Sequence, residues 1–443
     1  MSVFRSQAFS VPHMRGLPPK RSSVVTVLDI GTTKVVCLIG KLQPREEMQF
    51  LPGRTHDIEI IGVGHHKSRG IKAGVIADLE AVENAVRQAV HTAEKRAGLT
   101  VESLIVNVSA GRLKSDTHSA AVNMGGKEVE RSDLKKVIAA AAAQISNDDR
   151  SVLHCLTTGY RLDGERSVRD PRGMFGDELG VNMHVLSAEQ APLRNLELCV
   201  NRAHLTVEAM VATPYASGLS ALVDDESEIG CACIDMGGGT TTISVFSEGR
   251  MVHADAIALG GHHVTMDLAR GLSTRLEDAE RLKVVHGSAL PIGGDDHDTV
   301  TVSRIGDGES DAPVQMPKAL LGRIVRARIE ETLEMIRDRI QRSGYAPLVG
   351  RRVVLTGGAS QLTGMADAAR SILARNVRIG RPLGVAGLPA AAKGPAFSTA
   401  VGLMIYPQIA ALESRGGERA GRYRAVGGGG PFARVGQWLK ESF

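Results

Sequence analysis

Aromatic residues are scarce in this chain: 3% of 443 positions, with a single Trp, five Tyr and eight Phe. Its packing must therefore rest on Ala, Val, Leu and Ile. Cysteine is sparse too, at Cys37, Cys155, Cys199, Cys231 and Cys233. The number is odd and no pair has zinc-finger spacing, which excludes a disulfide framework and fits a reducing cytoplasm. Cys231 and Cys233 lie in an apolar run and read as small buried hydrophobes. No run of eighteen apolar residues suggests a membrane span, and the N-terminus lacks the apolar stretch of a secretory signal. The net charge of +4 is mild, and no basic stripe interleaves with aromatics, so nucleic acid is not an expected partner. An apolar content of 43% excludes wholesale disorder, and the length suggests two to four lobes.

What is present is an internal echo. Val27-Leu28-Asp29-Ile30-Gly31-Thr32-Thr33-Lys34-Val35 and Ile234-Asp235-Met236-Gly237-Gly238-Gly239-Thr240-Thr241-Thr242-Ile243 are each an apolar run, an Asp, a Gly/Thr turn and a second apolar run. Short β-branched runs on both sides of glycine predict strand–turn–strand hairpins. A P-loop or a dinucleotide fingerprint would need a helix after the glycines. Glycine lets backbone approach a phosphate, and successive N–H groups in such a turn form an anion-binding concavity. Thr32, Thr33, Thr240 and Thr241 add hydroxyl donors, and Lys34 adds a point charge. Asp29 and Asp235 would face the same pocket, where Mg2+ takes one or two carboxylates plus phosphates and waters. Either motif alone is more often an ordinary hairpin turn. Two with matched Asp positions point to a polyphosphate gripped from both sides.

A third stretch, Arg352–Met365, reads as a strand, a Gly-Gly turn and a helix. There Gly357, Gly358 and Ala359 let a flat ring or ribose lie against backbone near a helix N-terminus. Taken alone it reads first as a plain strand-to-helix turn.

These motifs, in this order, resemble the actin, sugar-kinase and DnaK-type chaperone superfamily, and within it the FtsA family of bacterial cell-division proteins. Ile61–Gly64, Ser68–Ile71, Gly74–Leu79, Asp278–Gly287, Val377–Gly380 and Ser398–Leu403 carry the resemblance further along the chain. The resemblance implies an α/β, actin-like (ribonuclease H-like), two-lobed ATPase fold with an inserted α+β domain of SHS2 type, called 1C. It implies that the first two motifs are phosphate loops, the third an adenosine loop, and that Glu280 and Lys283 contact the ribose and adenine. Their i, i+3 spacing alone would mean only a surface pair. It also implies ATP and Mg2+ as ligands, self-assembly into filaments, and docking of the tubulin-like division protein FtsZ, by its C-terminal peptide, on the lobe called 2B. Recruitment of other division proteins at the septum follows from the same resemblance. Relatives that hydrolyse ATP often carry Glu or Gln where this chain has Thr213, before Pro214. A threonine cannot take a proton as a carboxylate does. The expectation is therefore ATP binding with slow or negligible hydrolysis and no catalytic residue. A small-molecule kinase or a pilus-assembly protein on the same scaffold is the alternative.

Along the chain, residues 1–22 read as a disordered basic arm. Residues 23–100 with about 395–412 read as subdomain 1A, 101–187 as 1C, 188–270 with 346–394 as 2A, and 271–345 as 2B. A helix is predicted over Asp78–Ala97, capped by Asp78 and stopped at Gly98. Others are predicted over Arg131–Ile145, with Ser132 as cap, and over Gly322–Arg342. Gly293–Asp298 and Gly306–Pro313 read as loops.

Residues 413–430 are Gly/Arg-rich, ending in Gly427–Gly430, and read as a flexible linker to a short helix over 431–443. At 100° per residue Phe432, Val435, Trp438, Leu439 and Phe443 fall within an arc of roughly 140°, with Arg434, Gln437, Lys440 and Glu441 opposite. Such a helix suits a membrane interface, and arginines 415, 419, 422 and 424 would each gain about 1 kcal/mol near anionic lipid. Docking on its own protein is the alternative, which the long tether disfavours. A helix of this kind closes FtsA-like proteins as their membrane-targeting sequence. The resemblance thus places the chain on the cytoplasmic face of the inner membrane.

Overall fold

Each half of the echo folds as a hairpin at the centre of a five-stranded sheet, and the two sheets share one topology. A computed structural model describes residues 10–14, 16–18, 20–45, 54–109, 112–145, 149–291, 298–303, 305 and 313–413. The first sheet runs, edge to edge, His56–Lys67, Lys34–Pro44, Ser23–Ile30, Ser103–Val108 and Thr206–Ala212. The second runs Arg250–Ile257, Thr241–Ser247, Cys231–Met236, Arg352–Thr356 and Asn376–Ile379. In both, three antiparallel strands are extended by two parallel ones. The registers match as well: Ile30 faces Val35 across the first hairpin, and Met236 faces Thr241 across the second.

The β-branched runs earn their strands by burial. Val27, Leu28, Val35, Val36, Leu38 and Ile39 are fully buried, as are Ala232, Ile234 and Val245. The first sheet packs against the helix Leu79–Ala97, which buries Val82, Val86, Ala89, Val90 and Ala93 at helical spacing. Asp78 caps it, accepting the Ala81 N–H at 3.1 Å, and the helix ends at Gly98. In the second lobe the helix Lys318–Arg342 buries Val325, Ile329, Leu333, Ile336 and Ile340. They join Ile234, Val300 and Leu355 in one core, so the helix Lys318–Arg342 shares the second lobe's interior.

The inserted unit is a four-stranded sheet, ordered Lys114–Asn123, Glu178–Glu189, Arg150–Leu162 and Glu165–Val168, covered by the helix Arg131–Ala142. Its small core of Val137, Leu179, Val181 and Met183 is separate from the lobes. Ser132 does not cap this helix. Glu130 does, with its own N–H donated to Asp133 Oδ2 at 3.2 Å, and the helix ends three residues before Ile145.

The N-terminal arm also departs from expectation. Val11, Met14 and Leu17 are at most 5% exposed, and Leu17 N–H donates to Pro407 O at 3.0 Å. Three apolar residues at spacing three are enough to dock a polar, proline-containing segment that local patterning reads as disordered. Two further helices, Thr213–Ala221 and Ser398–Ile409, cross between the lobes, and every residue of the second is buried. The surrounding stretch Pro395–Leu412 has the length and composition of a membrane span, but 78% of it is buried inside the protein, which makes it a core helix. Most of the loops at Gly293–Asp298 and Gly306–Pro313, and the whole of 414–443, lie outside the described residues.

Candidate functional site

The two echoed turns meet face to face. In the first, Gly31 N–H donates to Lys34 O at 3.0 Å; in the second, Gly237 N–H donates to Thr240 O at 2.9 Å. A methyl group on Gly239 would overlap the Thr32 hydroxyl and stand 3.0 Å from Thr32 Cγ2. One on Gly238 would stand 2.6 Å from Thr33 Cγ2. Only bare backbone lets Thr32 and Thr33 of one lobe approach this closely to the other. Behind the second turn, Gly261 N–H donates to Gly237 O at 2.9 Å and His262 N–H to Gly238 O at 2.7 Å, so the N-terminus of the helix Gly261–Gly271 aims at the same space.

Under the turns sit the two acids, Asp29 at 8% exposure and Asp235 at 6%. Burial pushes the Asp29 carboxyl up to about 7, against the pull of Lys34 and with a further push from Asp235. Burial also raises Asp235, which accepts the Thr399 hydroxyl at 2.8 Å on Oδ2. Lys34 is drawn down to about 8 by burial, and its Nζ lies 3.4 Å over the Phe397 ring. The third motif touches Asp235 directly. Gly357 has φ 85° and ψ 167°, a backbone region open essentially to glycine alone, and a methyl there would overlap Asp235 Oδ1 and stand 2.6 Å from Met236 O. Gly358 and Ala359 begin a 3₁₀ turn, with Ala359 beside Gly261.

Glu280 and Lys283 close the far wall. Lys283 Nζ donates to Glu280 Oε2 at 2.7 Å, to Thr265 Oγ1 at 2.9 Å and to Gly261 O at 3.1 Å. Burial pushes the Glu280 carboxyl up, but the bonds from Lys283 and Thr265 outweigh it and hold it below its usual range. The structure therefore gathers most of the residues singled out for nucleotide and metal around one cleft, while Phe432, Val435, Trp438, Leu439 and Phe443 lie outside the described residues. Thr241 is the exception: it is fully buried, and its hydroxyl is spent on Leu259 O at 2.8 Å, leaving it no donor for a ligand.

Several residues in the cleft carried no assigned role in the sequence. Thr399 bonds Asp235; a hydroxyl at the head of a largely apolar helix was its signal. Asn107 accepts the Ile30 N–H at 2.7 Å, fixing the backbone beside Asp29, and donates to Thr213 Oγ1 at 3.3 Å. Ser109 lies 2.7 Å from the same hydroxyl. Thr213 opens its helix as expected, and its side chain is engaged by two neutral polar groups.

Two facing hairpins, a Gly-Gly turn and crossing helices beneath them define the class: an actin-like ATPase fold carrying an inserted SHS2 unit. Solved structures agree. The PilM–PilN type IV pilus biogenesis complex has a chain similar at a TM-score of 0.60, with 15% identity, covering 87% of this chain and 98% of that one. MreB5 of Spiroplasma citri bound to ADP matches at 0.50, with 13% identity, covering 88% and 97%. Sequence comparison goes further. The family model for cell division protein FtsA matches residues 232–402, and that for the SHS2 domain inserted in FtsA matches 110–187. Cell division protein FtsA of Rhizobium meliloti (strain 1021) is 70% identical over 443 residues, 100% of both chains. The chain belongs to the FtsA family of cell division proteins.

Proposed function

We propose that this protein binds ATP with Mg2+ between its lobes, polymerises on the cytoplasmic face of the cell membrane and tethers FtsZ filaments there, helping to recruit later division proteins to the septum. The observation that carries the reading is the meeting of Gly238 and Gly239 with Thr33 and Thr32: two anion-binding turns on opposite lobes converge where a polyphosphate would join them. The donor set suits the cofactor. Asp29 and Asp235 are oxygen ligands buried at a cost that a divalent cation would relieve, and Mg2+ prefers oxygen. Among the described residues no three acids, histidines or cysteines cluster, so phosphate and water would complete the shell. When bound, the ion neutralises phosphate charge. The chain's own Lys34 and turn N–H groups orient the phosphates, while Gly357–Ala359, Glu280 and Lys283 receive the nucleoside.

Hydrolysis would be slow. The position from which a carboxylate would orient water holds Thr213, bonded to Asn107 and Ser109. The nucleotide would then serve as a ligand that stabilises the closed, assembly-competent state. FtsZ would dock within residues 271–345. Phe432, Val435, Trp438, Leu439 and Phe443 would enter the membrane interface, a weak attachment made stable by multivalency in the polymer. Co-sedimentation with anionic liposomes and ATP tests this. The full chain should pellet with vesicles and a truncation after Gly430 should not; equal behaviour of the two refutes the anchor.

A further inference from the structure

Two stretches, Ser68–Ile71 and Gly74–Leu79, take no part in the site described above, yet together they form a strap across the cleft. Lys67 ends the strand His56–Lys67 of the first lobe. The Ser68 N–H then donates to Thr33 O at 3.0 Å, in the first phosphate turn. Gly70 O accepts the N–H groups of Ala77 and Asp78, at 2.7 and 3.0 Å. Between these anchors Ile71–Lys72 pairs with Val75–Ile76 as a small hairpin. Ile71 is buried in the first lobe's core, and the two-residue turn is Ala73-Gly74, at φ 50° and 76°. Positive φ at both positions is the hairpin turn that matches strand twist.

The hairpin reaches the second lobe. A methyl group on Gly74 would stand 3.1 Å from Ser109 O and 3.3 Å from Thr240 Cγ2. Ser109 neighbours the Thr213 hydroxyl, and Thr240 belongs to the second phosphate turn. At the strap's root, Lys67 and Arg69 approach Glu277 of the second lobe at 3.5 and 4.0 Å. The donors at the tip are unspent. Neither Ala73 nor Gly74 donates its N–H to another described residue, and Lys72 is exposed with no ion pair among them. Beside the first turn, the Ser68 hydroxyl is buried with no hydrogen-bond partner, a group that calls for a ligand or an ordered water.

We propose that the hairpin Ile71–Ile76 receives the terminal phosphate of a nucleoside triphosphate, through the Ala73 and Gly74 N–H groups and the Lys72 ammonium, and so separates triphosphate from diphosphate. The proposal rests on the nucleotide reading above, in which the terminal phosphate lies between the second turn and Thr213. Turn N–H groups beside an ammonium suit an anion, and bonds to a charged oxygen are the strong ones. A diphosphate ends short of the tip and leaves it against Thr240. A triphosphate sets charge against it. The strap is fixed to Thr33 and reaches Glu277, so it presents that difference to both lobes.

The test uses the full chain with Mg2+, a non-hydrolysable ATP analogue and ADP. Lys72→Ala should weaken the analogue about fivefold, the upper end for an exposed charge pair, and ADP less than about twofold. Lys72→Arg should keep the analogue's affinity. Gly74→Ala pushes the tip off Ser109 and Thr240 and should weaken the analogue about tenfold, again sparing ADP. Gly164→Ala is its control: Asp163-Gly164 makes the same kind of turn in the inserted unit, at φ 51° and 81°, and a methyl there meets nothing within 4 Å. It should change neither affinity. In the unmodified protein the analogue should slow hydrogen exchange at residues 71–76 more than ADP does. Equal losses for the two nucleotides in Lys72→Ala overturn the proposal, as does unchanged analogue affinity in that variant. Exchange at 71–76 that answers equally to both nucleotides overturns it even where Gly74→Ala does not fold. A chain that binds neither nucleotide refutes the cleft reading itself, and the proposal falls with it.

Discussion

Gly402→Ala should damage both the fold and the cleft. Gly402 lies where the helices Ser398–Ile409 and Thr213–Ala221 cross, and a methyl group on it would stand 2.9 Å from Ala216 Cα, with the Ala216 carbonyl carbon and oxygen closer still. Carbon atoms pack at about 3.5–4.0 Å, so the helices must part by roughly 1.5 Å. Both are buried and neither can yield by turning a side chain, because the obstacle is backbone. Overpacking of this kind typically costs about 1–3 kcal/mol, and here the upper end applies. Alanine recovers up to about 1 kcal/mol through its higher helix propensity, leaving a net loss of about 2 kcal/mol. At about 1 °C per kcal/mol for a chain of this length, calorimetry should show a melting temperature lower by about 2 °C. Gly159→Ala is the control, since a methyl there meets nothing within 4 Å. Thr399 rides on the first helix and Thr213 heads the second, so nucleotide affinity should fall as well. A Gly402→Ala protein that melts within a degree of the unmodified one, or above it, would refute the crossing as described.

Two further predictions concern the acids. Asp29 is held near 7 when folded against 3.8 as an ordinary carboxyl. The folded state therefore keeps a proton that the unfolded chain releases, and in the absence of metal its stability should decline as pH rises from about 4 to 7, by roughly 4 kcal/mol from this group. A cation binds only the ionised form, so Mg2+-dependent nucleotide affinity should tighten about tenfold from pH 6 to pH 8; calorimetric titrations showing a flat profile would remove Asp29 from the metal site. Gly357→Ala forces a side chain into a glycine-only conformation, costing about 1–3 kcal/mol, and pushes on Asp235. Nucleotide should bind at least about tenfold more weakly with the secondary structure intact by circular dichroism, and unchanged affinity would exclude the Gly357 turn from the site.

Much of this was legible in local patterning. The hairpins at Asp29 and Asp235, the cap at Asp78 and the buried face of Lys318–Arg342 follow from strand and helix periodicity and from the hydrogen-bonding preferences of single residues. Assignment failed where two nearby residues offered similar chemistry, as with Ser132 and Glu130, and where a segment is ordered by distant partners, as with Val11, Met14 and Leu17. Thr241 looked like a ligand donor until Leu259 claimed its hydroxyl.

By itself, then, the sequence determined that two Asp-Gly hairpins exist, that a Gly-Gly turn follows them, and that the family is that of FtsA, because each of these is written in contiguous residues. The tertiary structure alone decided that Gly239 meets Thr32, that Thr399 steadies Asp235, and that Gly74 meets Thr240. Those pairs are separated by tens to hundreds of residues, and nothing in either partner's local pattern specifies the other. Only the packing of two similar sheets around two buried helices brings them within bonding distance.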